Sequence, residues 1–306
     1  MGAEGLQKNT GGVVIQFPAM NAKERLFGRV CGVDPRLVDD VPAAGGLSLR
    51  SRSSDALRFF TADNRLVSLV SGAHGREPDA IVVERIPELS RPLPPGNWSL
   101  REGTLTVPGI EPLDLRTAPA QPSDVLPSVR DYPGHVRTAL NRALRKGDRV
   151  LELPVTELAR GLKTSYAEAA EQPVLALAGR GEGPLPAGDM VLCGFLLTGR
   201  ACETGTRLRA DWHGRLAMEV RRVLHRTTPF AAAWLRFALE GRTSARQERL
   251  FDAMARDVET AADAAVDELM ADPALPGAPF LAGVAAALDL VRSDLQPDAV
   301  SRYRII

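Results

Sequence analysis

Four glycines in ten residues, Gly179, Gly181, Gly183 and Gly188, lie within VLALAGRGEGPLPAGDMVLCGFLLTGRA (residues 174–201), between a short apolar run and a longer one. Glycine lets main-chain N–H groups come close to a ligand, and a helix starting after such a loop adds unpaired N–H groups and its positive dipole end. A small anion is the solute this arrangement favours. The loop is not of Walker type, because Asp189-Met190 follows Gly188 where Lys-Ser/Thr would reach phosphate and magnesium. Nor does its glycine spacing, interrupted by proline, fit a dinucleotide fingerprint. The residues alone leave two readings open: a ligand loop, or a structural turn in which Asp189 caps the helix.

A second set of anion-binding types is Arg221-Arg222 followed by Arg226-Thr227-Thr228-Pro229, where the last three residues have the pattern of a helix start. Guanidinium groups, hydroxyls and a helix N-terminus together hold phosphate or carboxylate well. The competing reading is a solvated basic face ending in an N-cap. If this segment meets the glycine loop in space, an anion is held from two sides. His74, His135, His213 and His225 have no metal-ligand spacing, and His74 in a glycine turn reads as a surface residue. Cys31, Cys193 and Cys202 are odd in number and not spaced for zinc, so they read as buried or half-buried thiols. A G-x-S-x-G elbow and an aromatic-interleaved basic stripe are both missing, which disfavours hydrolase and nucleic-acid readings.

The elements that must position these residues change character along the chain. Up to about residue 115 the apolar segments are short, as in VVIQF, LRFF, RLVSLV and AIVVER, and proline and glycine punctuate them, which is the pattern of strands. Residues 57–70 read as a hairpin about Ala62-Asp63-Asn64, and a further strand at residues 80–85 suggests a three-stranded meander. Ten prolines between Pro87 and Pro133 exclude long helices and central strands there and suggest a boundary near residues 119–133. Beyond Tyr132 alanine and leucine recur at helical spacing. Helices are expected at 136–144, at 230–240 between Thr228-Pro229 and Gly241, at 246–270 and at 280–291. Residues 174–178 read as a short buried strand ahead of the glycine loop.

Length and charge set outer bounds. The 306 residues carry 38 basic and 38 acidic side chains, so no global field draws the chain to nucleic acid or an anionic membrane. No apolar run reaches the roughly 18 to 20 residues of a membrane-spanning helix. The first twenty residues lack a basic start and the apolar run of about 7 to 15 residues that mark a secretory signal, so a cytoplasmic location is expected.

Four segments, in order, resemble the family of AllH, a subunit of oxamate carbamoyltransferase from anaerobic allantoin breakdown. NRLVSLVSGAHGREPDAIVVERIP resembles its strand, glycine turn and strand. AGRGEGPLPAGDMVLCGFLLTGRA is similar to its G-x-G-P-G-L-T-P-S-G-D-D and apolar helix, and RTTPFAAAWLRFALEGR to its R-T-T-x-x-S-x-x-x-L-x-x-A-x-x-G helix. LPGAPFLAGVAAAL resembles its S-S-G-x-D-x-L-x-G segment. The matches keep the backbone glycines while polar side chains change: Leu185 stands for Thr, Ala187 and Ala231 for Ser, and Met190 and Pro279 for Asp.

The resemblance implies a subunit that binds a small anion such as carbamoyl phosphate, moves a carbamoyl group to or from a small amide or amine, and works beside other subunits. On this reading the amides near Gly181, Gly183 and Gly188, with Asp189, Arg226, Thr227 and Thr228, hold the anion. No residue is assigned as general base, and neither metal nor cofactor is expected. Two further readings follow from the apolar replacements. One is a non-catalytic scaffold or regulatory subunit. The other is a stand-alone enzyme whose pocket, lined by Leu185, Ala187, Met190 and Ala231, takes a more apolar anion. The fold expected throughout is α+β, with a mainly antiparallel β-rich domain over residues 1–130 and a helical domain over 131–306 that carries the glycine-rich loop at a helix N-terminus.

Overall fold

A computed structural model of the chain describes residues 26–39, 46–123, 126–129, 140, 151–164, 167–205, 211–272 and 275–295. The hairpin forms around Asn64, whose left-handed backbone (φ 59°) suits a short polar side chain. It joins β3 (Ala56–Phe60) to β4 (Leu66–Ser71), with Phe60 opposite Leu66 and Arg58 opposite Ser68. The remaining strands are β1 (Val30–Val33), β2 (Gly46–Arg52), β5 (Ala80–Val83), β6 (Trp98–Arg101), β7 (Thr104–Thr106) and β8 (Leu113–Asp114). They form one eight-stranded mixed sheet in the order β1-β5-β4-β3-β2-β6-β7-β8. Past β8 the chain returns to the opposite edge, where Val33 donates to the Pro119 carbonyl and accepts from Gln121, so the sheet nearly closes.

The expected meander is corrected at one point. β4 and β5 pair in parallel, with Ser68 opposite Ala80 and Ser71 opposite Val83. Residues 72–79 therefore run back past β4 as a crossover, ending at Asp79 in a left-handed conformation (φ 51°). The prolines of the stretch after β5 fall outside β6, β7 and β8, which are accordingly short.

Strand alternation gives the sheet two apolar faces. Leu57, Phe59, Val67, Leu69, Ile81 and Val83 point into its curl and pack with Trp98, which stacks on Phe59 at 5.0 Å between ring centres. Phe60 and Leu66, on the other face, join the core of the helical half.

The helices are α1 (Arg36–Asp39), α2 (Glu152–Lys163), α3 (Glu171–Leu177), α4 (Ala187–Gly205), α5 (Asp211–Val223), α6 (Pro229–Glu240), α7 (Ala245–Arg256), α8 (Glu259–Met270) and α9 (Gly277–Leu295). The well-delimited helix is α6: the Thr228 hydroxyl accepts from Ala231 N–H, Pro229 opens the first turn and Gly241 closes it at φ 75°. The single helix expected at 246–270 is two. Asp257 adopts a left-handed conformation (φ 56°) and ends α7, whose start carries a capping box of Ser244 and Gln247. Residues 174–178 are also corrected, from strand to helix, since Val174 and Leu177 bury one helical face of α3 behind Pro173. The helix expected at 136–144 lies outside the described residues except for Leu140, which is helical and buried.

Apolar on nearly all sides, α9 lies against α4 at the centre of the helical core. Their backbones touch: a Cβ at Gly194 would collide with the Phe280 carbonyl, and one at Gly283 with that of Val191. Among the described residues, no helix is long and apolar enough to cross a membrane.

Candidate functional site

The glycine-rich loop joins α3 to α4, and its shape follows from its glycines. Gly179, Gly181 and Gly183 have φ of 72°, 119° and 82°, values that L side chains rarely adopt. A Cβ at Gly179 would lie 2.8 Å from the Arg226 carbonyl oxygen, and one at Gly181 2.7 Å from the Ala187 nitrogen. At Gly188 it would collide with the Leu177 carbonyl, where α3 meets α4. The loop is thus folded against the start of its own helix and against the turn at Leu224–Arg226 ahead of α6.

Two hydroxyls fasten the anion-binding candidates together. Thr227 Oγ1 donates to Asp189 Oδ2 at 2.5 Å, and Thr228 Oγ1 donates to the Pro184 carbonyl at 2.5 Å. Asp189 Oδ1 accepts the Gly179 N–H at 3.1 Å. Asp189 does not occupy the capping position, since α4 begins at Ala187; its buried carboxylate braces the loop from inside the first turn. Burial pushes that carboxyl above its ordinary value, against the Thr227 hydroxyl and the Gly179 amide, which lower it. One turn on, burial and the Asp189 charge push the Cys193 thiol well above its ordinary value.

The N-terminal amides of α4 are largely spoken for. Gly188 N–H donates to the Arg180 carbonyl at 2.8 Å, and Asp189 and Met190 N–H to that of Pro186 at 3.1 and 3.3 Å. Gly188 therefore acts through its lack of a side chain. The N–H groups of Gly181 and Gly183 find no acceptor among the described residues and sit on the exposed part of the loop. Arg226 is exposed, as is Arg180, which the sequence reading passed over. Leu185, Met190 and Ala231 are buried in the helical core, and Ala187 packs against it. Phe280, next to Pro279 in the chain, lies against Gly194 on α4, about 8 Å along the helix from Asp189. The last of the four family-like segments meets α4 along its first turns, with Gly283 against the Val191 carbonyl.

A second polar cluster, which the sequence reading missed, lies between the sheet and the helical half. His74 is buried and not on the surface. Its Nδ1 is 2.9 Å from Asp55 Oδ2 and its Nε2 is 2.6 Å from Glu77 Oε1, which also accepts from Arg58 at 2.6 Å. The available signal was Arg58 itself, a charge inside the apolar strand ALRFF with its face turned to the helices. Beside it, Arg242 donates to Asp34 (2.8 Å), Asp79 (2.5 Å) and Ser123 (2.9 Å), all buried. Of the other histidines, His213 is buried edge-on to Trp212, His225 is exposed and His135 lies outside the described residues.

Comparison with known proteins adds one match. No curated protein and no solved structure matches the chain. Residues 177–288, from the end of α3 through the glycine loop and most of α9, match the family described as oxamate carbamoyltransferase subunit AllH, the family that the motifs resemble.

Proposed function

We propose that this chain is a carbamoyltransferase-type subunit that binds a small anion such as carbamoyl phosphate where the glycine loop meets the entrance of α6. The observation that carries the reading is the joining of the two anion-binding candidates by the Thr227–Asp189 and Thr228–Pro184 hydrogen bonds, with Arg226, Gly181 and Gly183 left exposed. Gly188, Asp189, Thr227 and Thr228 then preorganise the cradle, while Gly181, Gly183 and Arg226 touch the anion. In the transfer, an amide or amine nitrogen attacks the carbamoyl carbon, the carbon–oxygen bond to phosphate breaks, and phosphate leaves with the electron pair and takes up the proton that the nitrogen loses. Donors fixed before the reaction stabilise that developing charge without a covalent nucleophile. The β-rich part (residues 1–130) and the helical part (131–306) are the two domains of this reading, the cytoplasm is its compartment, and other subunits of the transferase are its partners.

A thermal-shift titration with carbamoyl phosphate, phosphate and oxamate tests it. Ligand at 100 times its dissociation constant adds about 2.7 kcal/mol of stability. R226A is expected to abolish the shift without moving the ligand-free midpoint. No shift with any of the three, for the chain alone or together with co-purified subunits, overturns the anion site.

One observation favours a second reading, a non-catalytic scaffold or regulatory subunit. Both Asp189 oxygens are satisfied within the chain, and Leu185, Met190 and Ala231 fill the core instead of offering hydrogen bonds. A stable complex with a second protein, whose transferase activity is the same with R226A as with the wild-type chain, would favour the scaffold.

A further inference from the structure

The crossover of residues 72–79 places a histidine where a single proton decides the sign of a contact. Both ring nitrogens of His74 face carboxylate oxygens, those of Asp55 and Glu77. A neutral imidazole carries one N–H and one lone pair, so only the doubly protonated ring donates to both. Glu77 does not supply the missing proton. Burial raises its pKa, but Arg58 and His74 more than reverse this and bring it to about 2.

The same crossover is the contact between sheet and α7. The Arg76 carbonyl accepts the Ala245 N–H at 2.8 Å, the Arg76 guanidinium pairs with Glu248, and Gly75 lies against the Ala245 methyl. We propose that residues 72–79 form a proton-operated latch between the sheet and the helical half, shut while His74 carries both ring protons and loosened when it loses one.

Every charged group facing the ring enters this balance. Asp55, itself accepting from Ser53, lies on the β2–β3 turn; Glu77 is on the crossover; and Arg58 comes from β3. Behind Arg58 stands Asp272, after α8, held by Arg246 of α7 at 2.5 Å. Burial and the Arg58 charge oppose the imidazolium, the Glu77 and Asp55 carboxylates favour it, and the net direction is upward from 6.5. A raised folded-state pKa means the latch contributes fully below 6.5 and is lost as the pH rises through the folded value. At the far end of the crossover, Asp79 is paired with Arg242 and Arg65, and a guanidinium keeps its charge in proteins. Loosening is therefore confined to the α7 side.

The test is an NMR titration of the His74 ring together with hydrogen exchange at the Ala245 amide, corrected for intrinsic rate, from about pH 6 to about pH 9. Expected is a His74 midpoint above 6.5. Ala245 protection should fall about tenfold for each pH unit between that midpoint and the value in the opened turn, while Leu192 in α4 keeps its protection. His74→Gln, which offers one donor and one acceptor, should leave Ala245 weakly protected at every pH. A midpoint below 6.5, or Ala245 protection unchanged across the titration, overturns the latch whether or not the variant folds. Neither outcome bears on the anion site.

Discussion

At the scale of single residues, Asp189 is the hinge between a binding loop and a structural one. Its carboxylate is buried and holds Gly179 and Thr227. Removing the Thr227 hydroxyl while keeping its shape leaves one oxygen of a buried acid without its partner, at a cost of about 1 to 3 kcal/mol. Thr227→Val is therefore expected to lower stability by that amount in urea denaturation near neutral pH. The deficit should narrow on acidification, because burial already holds the Asp189 carboxyl above 3.8 and a proton relieves the desolvated charge. A deficit that widens as the pH falls would contradict this assignment. The glycines and the Arg-Thr-Thr triplet were legible because they are local patterns. The Asp189 brace was not: a carboxylate in a first helical turn reads as a cap, and its partner is 38 residues away. His74 was misjudged for a similar reason, since a glycine turn normally lies in solvent and nothing adjacent in sequence announces that Asp55 and Arg58 close over it.

At the scale of elements, backbone contact does much of the positioning. Gly188 sits where α3 crosses the start of α4, and a Cβ there meets backbone that cannot rotate aside. Gly183 has open space but a φ of 82°. Gly183→Ala is thus expected to cost only the strain of a left-handed residue, about 1 to 2 kcal/mol. Gly188→Ala should cost more and should also displace the loop, so the two variants separate in thermal midpoint and in any anion-induced shift. Equal midpoints would mean that the crossing yields. Elements with strong ends were readable from sequence; α6 is bracketed by Thr228-Pro229 and Gly241. The break between α7 and α8 was hidden because apolar spacing runs through it, with Val258 exposed and Ala261 exposed where a single helix would have buried them. The parallel pairing of β4 and β5 was equally hidden, as eight residues rich in turn formers suit a hairpin as well as a short crossover.

At the scale of the molecule, the α+β order follows from composition, but how the halves hold each other depends on side chains far apart in sequence. Arg242 just after α6 reaches Asp34 after β1, Asp79 before β5 and Ser123 beyond the sheet, and lies 4.8 Å over the Phe237 ring. A buried ion cluster adds little net stability when complete, yet removing one member strands the others away from water, at about 3 to 5 kcal/mol. Arg242→Leu is expected to lose that much. Wild-type stability for a chain of this kind lies in the range of about 5 to 15 kcal/mol, so the loss is a large fraction of the whole. Arg242→Lys should recover little, because one ammonium cannot span Asp34, Asp79 and Ser123 as a planar guanidinium does. The loss should also uncouple the halves: amides of β3 and β4 should exchange at a different denaturant concentration from those of α4 and α9, whereas in the wild-type chain both sets are expected to exchange together. If the variant loses less than about 1 kcal/mol, or if both sets of amides still exchange together, the halves are held by the apolar contact of Phe60 and Leu66 with the helical core instead.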